Sequence, residues 1–69
     1  MKLTMEHLEV GAAFEYTNNL VGPCTITIMN MDGTLDYAYR SKDASHIVFR
    51  QHYSWFLEVM NKNYTWALR

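Results

Sequence analysis

Three histidines, one cysteine and a short Asp-x-Ser-His stretch are the residues of this chain whose types could do chemistry. His7, His46 and His52 carry imidazoles able to ligate a metal, but no cysteine shares the region of His46 and His52. The carboxylates nearby make no recognised ligand spacing either. The histidines therefore read as surface side chains, and no metal is expected. Asp43, Ser45 and His46 supply the residue types of a hydrolytic triad. Triads are assembled from separated segments, because neighbours on one loop cannot aim at each other. Asp43 and Ser45 instead read as turn residues that hydrogen-bond the local backbone. Cys24 would need a cation or a helix N-terminus to become a nucleophilic thiolate, and its neighbours supply neither, so it reads as a small buried hydrophobe. Gly11, Gly22 and Gly33 are too scattered to form a phosphate loop. No catalytic constellation and no cofactor site emerges. A chain of 69 residues also has little room for a water-excluding pocket beside a core, so an enzyme is the least expected class.

The elements that would position these residues are organised around Cys24 to Ser41. Asp32-Gly33 between runs of β-branched and aromatic residues predicts a two-residue type I′ hairpin turn. That turn sets Met31 opposite Thr34, Asn30 opposite Leu35, Met29 opposite Asp36 and Ile28 opposite Tyr37. Side chains alternate along each strand, so Cys24, Ile26, Ile28, Leu35, Tyr37 and Tyr39 share a core face. Thr25, Thr27, Met29, Met31, Asp36, Ala38 and Arg40 share the other.

Before the hairpin, Thr4 as N-cap, Glu6, the pair Leu3 and Leu8, and Gly11 as a stop predict one or two helical turns. Alternation from Ala12 to Thr17 predicts a strand with Phe14 and Tyr16 inward, and Asn18, Asn19 and Gly22-Pro23 mark the loop that follows. After the hairpin, residues 41–45 read as a loop and Ile47 to Arg50 as a short strand. Tyr53, Phe56, Leu57 and Met60 recur at helical spacing to Asn61, with Asn63 as a left-handed stop. Trp55 and Val59 lie off that stripe. Tyr64, Trp66 and Leu68 then alternate as a last strand. The expected fold is α+β and mostly β: a small bent antiparallel sheet, or a partly open SH3-like barrel of about five strands. A short N-terminal helical turn and a short helix before the last strand complete it.

Residues 1–69 form a single domain near the size where only roughly 60% of the unfolded chain's surface can be buried. A 49% hydrophobic content with 14% aromatics makes a core feasible without staples. The lone cysteine permits no intrachain disulfide and fits a reducing, cytoplasmic setting. A net charge of −1 without blocks of one sign disfavours binding by phosphate neutralisation. No apolar run is long enough to span a bilayer, and no membrane association is expected.

Two stretches carry a resemblance. Leu8, Val10, Gly11 and Phe14, together with Phe56, Leu57, Met60, Tyr64, Trp66 and Leu68, resemble small single-domain proteins of tailed bacteriophages, many of which look like SH3-type barrels. The resemblance implies an accessory phage product acting in the host cytoplasm, one that binds a host protein, and it carries over no site residue.

The expected function is thus a non-enzymatic protein-binding module, plausibly a phage-encoded regulator or inhibitor of a bacterial host factor. Trp55, Val59, Met29 and Met31 are the expected contact residues, as apolar side chains left outside the core. One alternative is a single-stranded nucleic-acid-binding barrel, with Tyr37 and Tyr39 stacking on bases and Arg40, Lys42 and Arg50 on phosphates. A homo-oligomeric structural or assembly protein is another, a homodimer among the possible states, pairing an edge strand or a helix face between copies.

Overall fold

A computed structural model describes residues 2–44 and 47–68 of the chain. The expectations placed on Ser45 and His46, both the triad and the His46/His52 pair, lie outside the described residues.

Five segments make one antiparallel sheet. Strands β1 (Ala13–Asn18), β2 (Gly22–Asp32), β3 (Thr34–Arg40) and β4 (Ile47–Gln51) form a meander, and a two-residue segment, β5 (Ala67–Leu68), pairs with the free side of β1. The spatial order is β4-β3-β2-β1-β5. Of the two expected architectures, the open sheet is the one these pairings describe: β4 and β5 are its edges. A helix, α1 (Tyr53–Asn63), and the N-terminal segment cover one face.

The alternation read from the sequence is the alternation of burial. Phe14 and Tyr16 on β1, Cys24, Ile26 and Ile28 on β2, and Leu35 and Tyr37 on β3 are buried, and they meet Phe56 and Met60 of α1, Leu3, Leu8 and Trp66 in one core. Aromatic rings bind this core in edge-to-face and tilted pairs. Phe14 lies 6.3 Å from Trp66 at 86°, and Tyr37 lies 5.0 Å from Phe56. The indole N–H of Trp66 donates to the Met60 carbonyl at 3.2 Å, which seats the chain's last turn against the helix end.

The hairpin departs from its expected register at the tip. Pairing from Ile28–Tyr37 to Thr25–Arg40 is as the turn signal predicts. Beyond Ile28 an irregularity intervenes, and the partners become Asn30–Asp36, Met31–Leu35 and Asp32–Thr34. Met29 is the extra residue on β2, a bulge that shifts everything beyond it by one position. Gly33, at φ 77°, alone separates Asp32 from Thr34. The shift moves Met31 onto the face of Leu35, where it packs against the core, while Met29 stays exposed.

Several boundaries also move. The N-terminal helix is a single 3₁₀ turn, Met5–His7. Gly11 is no helix stop: it opens the approach to β1, its N–H donating to the Ile28 carbonyl at 2.8 Å. Gly22 and Pro23 belong to β2, opposite Asn18 and Thr17, and Pro23 lies beyond the reach of β3, so its missing N–H costs no ladder bond on that side. The tight turn before them is closed by Asn18, whose Oδ1 accepts from the Leu20 and Val21 amides at 2.8 and 3.3 Å. Asn63 lies within α1, its side chain donating to the Val59 carbonyl, and Tyr64 caps the helix in an extended conformation. The final strand is confined to Ala67–Leu68, although Trp66 is buried as its alternation requires.

Candidate functional site

Side chains on β4 alternate as those on β3 do, because each residue shares a face with its cross-strand partner. Ile47, Phe49 and Gln51 therefore stand on the helix-covered face beside Tyr39, Tyr37 and Leu35. Val48 and Arg50 stand on the open face beside Ala38 and Asp36. Unlike the inner strands, β4 has its apolar residues out in solvent on both faces: Ile47 is 43% exposed, Val48 60% and Phe49 40%. The pairing with β3 runs without a bulge, and the strand carries neither lysine nor proline. Its other side has no strand partner among the described residues. Apolar side chains on both faces are the signature of an interior strand, yet this one is an edge.

The neighbours of β4 hold it rigid. Phe49 stacks on Tyr37 with ring centroids 5.5 Å apart and meets Tyr39 edge-on at 6.4 Å. The Tyr37 hydroxyl donates to Gln51 Oε1 at 2.9 Å. Arg50 donates twice to the Asp36 carboxylate, at 2.8 and 3.1 Å, which holds that carboxyl below its ordinary pKa, chiefly through the hydrogen bond. The fork closes the charge of Arg50 onto its own chain. The edge is left electrically neutral over Ile47–Phe49.

The helix carries further exposed apolar surface of its own. At about 100° per residue, Phe56 and Met60 point into the core while Asn61 lies to one side of them and Trp55 and Val59 to the other. Asn61 grips the N-terminal segment: its Oδ1 accepts from the Leu3 N–H and its Nδ2 donates to the Leu3 carbonyl, both at 2.8 Å. Trp55 and Val59 are therefore on the flank that this segment does not cover, Trp55 at 45% exposure and Val59 half-buried. The contact residues expected from the sequence are thus divided. Trp55 and Val59 share one helix flank. Met29 lies in the β2 bulge with β3 between it and β4. Met31 is a core-facing residue, because the bulge turns it inward. Ile47, Val48 and Phe49, exposed on β4, were not among the expected contact residues, although three consecutive apolar residues in a short run could have drawn attention to them.

The tyrosines proposed to stack on nucleotide bases are engaged elsewhere. Tyr37 is only 5% exposed, its ring between Phe49 and Phe56, and burial raises its pKa. The Tyr39 hydroxyl lies 3.4 Å from Cys24 Sγ, and that bond is the main cause of its raised pKa. Arg50 is held by Asp36, which leaves Arg40 and Lys42 as exposed cations of that set.

Of the residues weighed for chemistry, His7, His52 and Cys24 make local contacts. His7 accepts the Thr4 N–H on Nδ1 at 3.0 Å, and His52 Nδ1 lies 3.0 Å from the Ser54 hydroxyl at the start of α1. Cys24 is buried, within reach of the Gly22 carbonyl and Tyr39. Among the described residues, no group of three or more His, Cys, Asp or Glu could hold a metal, and no helix is long and apolar enough to cross a membrane. Surface hollows lie beside Asn18, Asn19, Leu20 and Tyr64, beside Leu57, Asn61 and Lys62, and beside Glu15, Pro23 and Trp66.

No family model, no curated protein and no solved structure matches the chain.

Proposed function

We propose that the chain is a non-enzymatic protein-binding module that receives an extended strand of its partner along the edge of β4, with Trp55 and Val59 contacting what lies beyond the strand. One observation carries this reading: an unpaired, bulge-free edge strand with exposed apolar side chains on both faces. Adding a strand satisfies the outward N–H and C=O groups of β4 and covers Ile47, Val48 and Phe49 together. The resemblance of both chain ends to small tailed-phage proteins makes bacterial host proteins of the cytoplasm the candidates for what Trp55 and Val59 contact beyond the strand. It is also the ground for reading the sheet as a relative of SH3-like barrels.

Fluorescein-labelled ten-residue peptides with Val, Ile or Phe at alternate positions test the reading by anisotropy, with amide chemical shifts locating the contact. Binding is expected for a subset, with shifts concentrated on Ile47–Gln51 and on Tyr37–Tyr39 behind them. A panel in which no member moves the β4 amides contradicts it.

A further inference from the structure

We infer that the strand received by β4 is the β4 of a second copy, paired antiparallel about a two-fold axis through Val48; this rests on the reading of β4 as a docking edge. An isologous contact requires a patch that is its own complement. The run Ile47-Val48-Phe49 meets that requirement. With the axis at Val48, each Ile47 faces Phe49 of the second copy on the helix-covered face, and Val48 faces Val48 on the open face. Every apolar side chain exposed on this edge then meets an apolar one.

Charge gives the same answer. The three paired positions carry no charge, and Arg50, just beyond them, is already held by its own Asp36 at 2.8 Å. A strand bearing Lys, Asp or Glu in the run would bury an unpaired charge against this edge, whereas the chain's own run is neutral. On the helix side the rows of the two sheets continue across the seam: Tyr37 and Phe49, stacked at 5.5 Å, are followed by Ile47 and Tyr39 of the second copy. The result is one ten-stranded sheet with helices on a single face.

The area sets the strength. At 40% exposure Phe49 offers roughly 60–100 Å² of the 150–250 Å² an aromatic can bury. With Ile47, Val48 and the strand edge the contact reaches a few hundred Å² per copy, below the roughly 800 Å² per partner of a standard interface, so the dimer is weak and concentration-dependent.

Sedimentation equilibrium on the parent, on Val48→Lys, on Val48→Glu and on their equimolar mixture tests this. The parent should move with concentration from 8.1 kDa toward twice that mass. Each variant alone should stay monomeric with unchanged circular dichroism, because like charges meet on the axis. The mixture should regain the dimer, which only an axis that sets position 48 against itself allows. A parent that is monomeric at every concentration, variants that still dimerise, or a mixture that stays monomeric would each overturn the inference. A monomeric parent whose β4 amides shift with labelled peptides overturns this inference alone. A monomeric parent with no peptide response overturns the docking edge as well.

Discussion

Replacing Asn61 by alanine removes the clamp between α1 and the N-terminal segment, and its cost can be worked from two bonds. The Asn61 amide accepts from the Leu3 N–H and donates to the Leu3 carbonyl, each at 2.8 Å, and the pair is partly buried. A hydrogen bond contributes about 0.5–1.5 kcal/mol net, and a buried group left unpaired adds to the loss. Water reaches a partly buried site, so Asn61→Ala should cost roughly 2 kcal/mol. For a domain of this size each kcal/mol lowers the melting temperature by about 4–8 °C, so a fall of roughly 8–16 °C is expected by circular dichroism. Asn61→Asp should also destabilise, since a carboxylate keeps the acceptor for the Leu3 N–H but sets negative charge against the Leu3 carbonyl. A double-mutant cycle with Leu3→Ala checks the mechanism. Leu3 is buried only while the clamp holds it, so the two losses should be less than additive by more than about 0.5 kcal/mol. A loss below about 0.5 kcal/mol for Asn61→Ala, or full additivity in the cycle, would refute the reasoning.

The bulge makes a paired prediction about the methionines. Met29→Asp should change urea stability by less than about 0.5 kcal/mol, as exposed sites do, whereas Met31→Asp should cost roughly 1–3 kcal/mol by setting a charge against the core. Equal costs would place the bulge elsewhere. Burial, and then the nearby Cys24, raise the Tyr16 pKa, and burial raises that of Tyr37. Above about pH 10 the unfolded chain releases these protons while the folded chain keeps them, so stability is full below that pH and falls as pH rises further. Tyr16→Phe should flatten this alkaline loss in melts taken from pH 9 to 11. The lowered pKa of Asp36 works in the opposite direction: its stabilising effect is present above the ordinary carboxylate value and is lost as pH falls through the folded one. Arg50→Ala should weaken that acid dependence and its sensitivity to salt in parallel melts.

Local chemistry made most of the fold legible in the sequence. Period-two alternation placed Phe14, Tyr16, Ile26, Ile28 and Tyr37 in the core, and the helical spacing placed Phe56 and Met60 there too. What could not be read was set by pairing over distance. The Asp32-Gly33 signal predicts a two-residue turn, but the bulge at Met29 pairs Met31 with Leu35 and turns Met31 toward the core. Alternation alone gives no sign of an inserted residue. The last strand is short because Trp66 is drawn to the helix end by its bond to the Met60 carbonyl, a partner six residues back. The surface proposed for docking was half legible. Trp55 and Val59 fall off the helical stripe in any helical projection, and they do lie on the less covered flank. That β4 is an edge depends on strand order, which the sequence pattern does not contain. Ile47 to Arg50 were therefore read only as a short strand.

Amide hydrogen exchange across β4, measured at low and at high protein concentration, tests the central claim most directly. The pairing proposed for Ile47–Phe49 predicts that the outward amides of this run exchange quickly in dilute solution and become protected as concentration rises, while those of β1 and β2 do not change. Protection of β4 that is the same at both concentrations would contradict an edge that takes up a second copy of the chain.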